Sequence, residues 1–158
     1  MSETVIQVTS LGKRIKGKTI LEDISFEINQ GDCVALIGPN GAGKTVLMSC
    51  ILGDKKPSSG QVFIDGKAGK AKNKIAVLLQ ENTIPNSLKV EELIAFFQSI
   101  SDNPLTNQEV QELLQFKEDQ YQQFADKLSG GQRRLLAFVL CLIDKPKILF
   151  LDEPTAGM

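Results

Sequence analysis

Residues 38–45 read Gly-Pro-Asn-Gly-Ala-Gly-Lys-Thr, an instance of the pattern G-x-x-x-x-G-K-[ST]. The glycines at 38, 41 and 43 remove the Cβ atoms that would keep the backbone away from a ligand, so the chain can wrap closely with successive N–H groups turned inward. The preceding residues 34–37, Val-Ala-Leu-Ile, show no polar alternation and predict a short strand buried on both faces. Residues 44–52 have helical spacing and stop at Gly53. A strand, a glycine loop and a helix in that order place an anion at the helix N-terminus. The candidate phosphate-site residues are Gly38, Pro39, Asn40, Gly41, Ala42, Gly43, Lys44, Thr45 and Val46. Lys44 is expected to reach the β- and γ-phosphates of a nucleotide, and the Thr45 hydroxyl to ligate Mg²⁺. The competing reading is a glycine turn that happens to carry an exposed lysine.

The rest of the first third reads as strands. Residues 5–9 and 25–28 carry β-branched and aromatic side chains, with turn signals at 16–18 and 29–31. Residues 57–60 predict a turn, 62–64 a strand ending at Asp65-Gly66, and 75–79 another buried strand ending at Gln80. Lysines at 67, 70, 72 and 74 decorate the loop between them as a solvated surface.

Composition shifts after that point. Residues 86–127 hold three lysines against eight acids, a local charge of −5. Within this stretch Val90, Leu93, Ile94, Phe97 and Ile100 define one face of a helix. Thr106 and Glu109 form a capping-box pair ahead of a second helix through Phe116. This glutamine-rich segment has the character of a helical subdomain inserted into an α/β core, and residues 145–152 return to the core as a strand.

That returning strand carries the second chemical signal. Four apolar residues, 148–151, deliver Asp152 and Glu153 at the carboxyl end of a buried strand, where an α/β sheet binds ligands. Asp152 is expected to hold Mg²⁺ through water, and Glu153 to accept the proton of an attacking water. Alone, an apolar strand ending in acids is commonplace; beside the glycine loop it becomes half of a site. The third signal is Leu128, Ser129, Gly130, Gly131 and Gln132. Ser129 can cap an apolar helix running to Ile143, and the two glycines leave its first N–H groups uncovered, a second anion site or simply a capped helix.

Composition removes other classes. The chain has 158 residues and no histidine, and its three cysteines, Cys33, Cys50 and Cys141, are isolated. Zinc sites, Ser-His-Asp triads and Cys-His nucleophiles are thereby excluded, and the thiols read as small buried hydrophobes in a reducing cytosol. Basic and acidic residues number 18 and 19, so no general field exists to recruit nucleic acid or an anionic membrane. The longest apolar run, 135–143, is nine residues, too short to span a bilayer. Residues 1–4 carry neither a basic nor an apolar leader region, so no signal peptide is expected. A soluble cytosolic domain is the class that remains.

Taken together and in this order, the three signals resemble the ATP-binding subunit of ABC transporters, over essentially the whole chain from Val5. The resemblance implies an α/β fold, a P-loop NTPase core with an N-terminal antiparallel β subdomain and an inserted α-helical subdomain. It is expected as a single ABC-type domain, core 1–84 and 133–158 with the helical subdomain at about 85–132. Leu128 to Gln132 then fall on the family's signature motif, with Ser129, Gly130, Gly131 and Gln132 contacting ATP, and Gln80 on the glutamine that senses Mg²⁺ and couples to the membrane partner. The resemblance further implies ATP and Mg²⁺ as cofactors, ATPase activity, and a head-to-tail homodimer or heterodimer of cassettes. An integral membrane transporter subunit would be the partner, placing the chain in the cytoplasm, peripheral at the inner face of the cell membrane, with no nucleic acid involved. Arg133-Arg134 after the signature looks more like the exporter branch.

Two departures accompany the resemblance. The aromatic residue that stacks on adenine in the family is Ile15 here, which should weaken affinity by roughly 1 kcal/mol. The sequence stops at Met158, inside the family's D-loop, before the switch histidine. The expectation is therefore a C-terminally incomplete cassette that binds ATP and hydrolyses it poorly alone. The alternatives are a soluble ABC-type ATPase without a membrane partner, and a truncated nucleotide binder without turnover. A repair or chromosome protein of that kind would carry a long coiled coil between Gln80 and the signature, and only 47 residues intervene.

Overall fold

A computed structural model describes residues 3–68, 75–78 and 84–152. The chain divides into two compact units, Met1–Lys72 and Asn73–Met158.

The first unit is built on a four-stranded antiparallel sheet in the order β2-β1-β3-β4, with β1 Thr4–Ile15, β2 Lys18–Asn29, β3 Ser59–Ile64 and β4 Lys67–Ala68. β1 and β2 form a hairpin in which Ile15 pairs with Lys18 across Lys16 and Gly17, both at positive φ (48° and 79°). That is the backbone a two-residue turn demands of right-twisted strands, and it extends both strands well beyond the predicted segments. β1 then pairs with β3 on its other edge, Ile6 opposite Ile64 and Val8 opposite Val62. Gly60 makes the crossing feasible, because a Cβ there would lie 2.2 Å from the Ser10 carbonyl oxygen. Helix α1, Lys44–Ile51, turns Leu47, Cys50 and Ile51 inward, and the unit's core includes Ile6, Val8 and Leu11, each 2% exposed or less.

One expectation fails in this unit. Residues 34–37, predicted as a strand buried on both faces, are irregular, with Val34 60%, Leu36 47% and Ile37 90% exposed. A strand satisfies its backbone only by pairing, and among the described residues no strand pairs with this segment. An apolar run states a preference for burial and carries no neighbour with it.

The second unit centres on two parallel strands, β5 Ile75–Leu78 and β6 Ile148–Leu151, with Ile75 opposite Ile148 and Leu78 opposite Leu151. Around them stand α2 Val90–Ser99, α3 Asn107–Leu114, the single turn α4 Glu118–Tyr121 and the long helix α5 Gly130–Leu142. Leu78, Val90, Leu93, Val110, Leu136 and Ile143 belong to one continuous core. The predicted apolar face of α2 is thus found, but its last residue differs: Ile100 lies just beyond the helix and is 64% exposed. α3 starts as expected, Thr106 Oγ1 accepting from Glu109 N (3.2 Å) and Glu109 Oε2 accepting from Thr106 N (2.7 Å). It ends at Leu114, two residues short of Phe116, because Gln115 takes the left-handed conformation at φ 50°.

Candidate functional site

In the glycine loop Gly41 and Gly43 adopt positive φ, 81° and 93°, conformations that L side chains rarely adopt. A further constraint acts at Gly43: a Cβ there would lie 3.0 Å from Leu21 Cδ2 and 3.3 Å from the Ile20 carbonyl oxygen. The loop is therefore pressed against β2 at its last glycine, and α1 begins at the next residue. Ala42 N donates to Pro39 O (3.1 Å) to close the turn, and Leu47 N donates to Gly43 O (2.8 Å) as α1 begins. The N–H groups of Lys44, Thr45 and Val46 precede that bond, and Gly43 brings no side-chain cap to them. They form the positive end of the helix, available to an anion.

The Lys44 ammonium folds back over this loop, donating to Gly38 O (2.5 Å) and Pro39 O (2.9 Å). Those two carbonyls tie the first residue of α1 back to the start of the loop. Thr45 is exposed beside it. The strand expected to lead into this loop is absent, as described above, so the loop's shape is set by its own glycines and by β2.

In the second unit Ser129 caps α5 as predicted. Its Oγ accepts from Gln132 N (3.3 Å), and Gln132 Oε1 accepts from Ser129 N (3.0 Å). Gly130 and Gly131 are exposed and open: a Cβ on either would meet nothing within 4 Å. With the Gln132 amide already engaged, the N–H groups of Gly130 and Gly131 are those left for an incoming anion.

Asp152 stands one residue beyond β6, and its N–H donates to Leu78 O (2.9 Å), extending the parallel ladder by one rung. Gln80 and Glu153, the expected metal-sensing and proton-accepting residues, lie outside the described residues. Thr45 and Asp152 offer the hard oxygen donors that Mg²⁺ prefers. Among the described residues no cluster of three or more His, Cys, Asp or Glu could hold a metal ion. Each is a single donor, which fits an ion that takes most of its octahedron from nucleotide phosphates and water, and does not fit a metal caged by protein alone.

Sequence reasoning missed the reach of the arginine pair. Arg133 Nη2 donates to Asn86 Oδ1 (2.9 Å), and Arg134 Nη2 lies 3.4 Å from the carbonyl oxygen of Asp152. The partners are 47 and 18 residues away, so no local pattern announces them. A cleft of about 560 Å³ between α2, α3 and α4, lined by Glu91, Glu92, Glu118 and several amides, contains none of the motif residues. Burial pushes the Cys50 and Cys141 thiols up from their ordinary values, in keeping with their reading as buried hydrophobes, whereas Cys33 is exposed and departs from it.

The comparisons with known proteins follow the same lines. A family model described as "ABC transporter" matches residues 21–156. The chain is 35% identical over 167 residues to the methionine import ATP-binding protein MetN of Legionella pneumophila (strain Paris), covering 98% of this chain and 49% of that protein. It is 34% identical over 157 residues to the spermidine/putrescine import ATP-binding protein PotA of Protochlamydia amoebophila (strain UWE25), covering 94% of this chain and 42% of that one. The chain thus spans about half the length of these curated relatives. Among solved structures, an ATP-binding cassette of an ABC transporter in its ADP conformation superimposes with a TM-score of 0.80 at 25% identity, over 98% of this chain and 70% of the other.

Proposed function

The chain belongs to the ABC transporter family, and on that premise we propose that it is the ATP-binding subunit of an import system, hydrolysing Mg-ATP at a head-to-tail dimer interface. The fold is that of the family, a P-loop NTPase-type α/β fold with an N-terminal antiparallel sheet. The observation that carries the reading is the uncapped N-terminus of α1 directly after a glycine loop with left-handed Gly41 and Gly43, with the Lys44 ammonium held by the loop's own carbonyls. Such a device binds the β- and γ-phosphates of a nucleotide and has little other use.

In this reading residues 38–46 cradle the phosphates and Lys44 exchanges its two carbonyl partners for phosphate oxygens. Thr45 and Asp152 are the residues that would each offer an oxygen to the Mg²⁺ that nucleotide brings, and the ion would supply neutralisation of charge on the transferred group. Gln80 senses that ion, and Glu153 accepts a proton from the attacking water. Ser129, Gly130, Gly131 and Gln132 present a second helix N-terminus to the ATP of a partner cassette. We assign residues 1–84 and 133–158 to the core and about 85–132 to the helical subdomain, which faces an integral membrane partner at the inner face of the cell membrane. No helix among the described residues is long and apolar enough to cross a membrane.

The direction of transport is revised. The resemblance of Arg133-Arg134 to the exporter branch is outweighed by the named relatives. MetN and PotA are import proteins by name, and that supports import. Their cargoes, an amino acid and polyamines, differ too much to suggest one for this chain. The test is Mg-ATP turnover per chain as a function of protein concentration. In keeping with poor hydrolysis by the chain alone, slow turnover that climbs with concentration and vanishes in Glu153→Gln is expected; turnover independent of concentration, or retained in the variant, contradicts the reading. Binding of ATP with no turnover at any concentration would favour a nucleotide binder.

A further inference from the structure

Neighbouring residues on a helix project about 100° apart, so an adjacent pair can serve two different segments at once. On α5 that pair is Arg133 and Arg134, directly after the signature residues. Arg133 reaches Asn86, in the loop ahead of α2, and Arg134 reaches the main chain of Asp152 beyond β6. Asp152 is the point at which the β5–β6 ladder ends. Its N–H is fixed by Leu78 O at 2.9 Å, and its carbonyl lies 3.4 Å from the Arg134 guanidinium. With its N–H and its carbonyl both held, Asp152 cannot swing about φ, the rotation that carries Cβ, so its Cα–Cβ bond keeps one bearing. Without the second tether the residue after a strand end is free to turn about φ.

We propose that Arg134 is a positioning residue for the metal carboxylate: by holding the Asp152 carbonyl it aims the side chain and makes the signature helix and the metal-binding strand end one body. The inference rests on the reading of Asp152 as a Mg²⁺ ligand. Arg133, which holds a different loop, is the internal comparison. Outer-shell groups that orient a ligand cost about 10–100-fold in metal affinity when removed, and a tether acting through the main chain belongs at the lower end.

The experiment measures the Mn²⁺ affinity of the ATP-loaded protein by electron paramagnetic resonance, Mn²⁺ standing in for Mg²⁺, with ATP affinity in EDTA measured alongside. Asp152→Asn sets the full loss. Arg134→Met should weaken Mn²⁺ binding about tenfold with metal-free ATP affinity unchanged. Arg134→Lys, which keeps one donor for one carbonyl, should stay within about threefold of the parent. Arg133→Met should match the parent. Arg134→Met binding Mn²⁺ like the parent while Asp152→Asn does not would overturn the proposal, as would equal losses in Arg133→Met and Arg134→Met. If Asp152→Asn itself binds Mn²⁺ normally, the assignment of Asp152 is what fails. Should Arg134→Met not fold, Arg134→Gln is judged by the same criterion; loss of metal-free ATP binding together with Mn²⁺ affinity would mark a merely structural role and equally overturn the proposal.

Discussion

Replacing Ser129 by alanine and, separately, by aspartate distinguishes the two jobs assigned to one residue. As a cap, Ser129 accepts one hydrogen bond from Gln132 N at 3.3 Å, while the reciprocal bond from Ser129 N to Gln132 Oε1 survives any side-chain change at 129. Losing a cap costs about 0.5–2 kcal/mol. With one long bond lost and the other retained, Ser129→Ala should fall at about 0.5–1 kcal/mol, or a melting temperature lower by roughly 1–4 °C in a domain of this size. Aspartate caps as well as serine and adds favourable charge at the positive end of α5, so Ser129→Asp should restore the loss. It also puts a carboxylate where the partner's ATP would bring phosphate. Like charges about 4 Å apart repel by about 1 kcal/mol in water and about 4 kcal/mol near a protein surface. ATP-dependent self-association should then weaken from roughly fivefold to a thousandfold per site. Thermal unfolding followed by circular dichroism reads the first effect, and sedimentation of the Glu153→Gln protein with ATP reads the second. If Ser129→Asp is as unstable as Ser129→Ala, the capping account is wrong. If it associates like the parent, the exposed glycines of α5 do not meet phosphate.

Three further outcomes follow from burial and charge. Leu136, fully buried at 0% exposure in the second unit's core, should cost about 2–5 kcal/mol as Leu136→Ala in denaturant unfolding. Ile37→Ser should change stability by less than about 0.5 kcal/mol, since the side chain is 90% exposed; a buried strand residue would lose about 1.5–3 kcal/mol instead. The backbone N–H of Thr106, then its hydroxyl, hold the Glu109 carboxyl below its ordinary value. A depressed carboxylate stabilises the fold above its unfolded pKa, and that contribution is lost as pH falls through the lower folded value. Unfolding followed from pH 6 downward should therefore show stability declining from about pH 4, with a shallower decline in Glu109→Gln.

What was legible in the sequence is what is local. The capping boxes Thr106–Glu109 and Ser129–Gln132 close within four residues, and the turn at Lys16-Gly17 closes within two, so residue type alone specifies them. The shape of the glycine loop is legible for the same reason: Gly41 and Gly43 supply backbone conformations, and α1 supplies its own N–H groups. Failures occur where a neighbour decides. Residues 34–37 have the composition of a buried strand, yet pairing is a property of two strands. Periodicity gave the buried face of α2 correctly through Ile94 and then ran one residue past the helix to Ile100, because period carries no information on what covers the end. The contacts of Arg133 and Arg134 to Asn86 and Asp152 are made across the fold, so no local pattern announces them.

The central claim, that the glycine loop and Lys44 bind the phosphates of ATP, is tested most directly by the affinity of the chain for ATP with and without Lys44→Ala. A hydrogen bond to a charged group contributes about 1.5–3 kcal/mol, so the account predicts one ATP per chain and an affinity reduced by roughly 10–150-fold in the variant. Equal affinity in the two proteins, or no ATP binding by the parent, would contradict it.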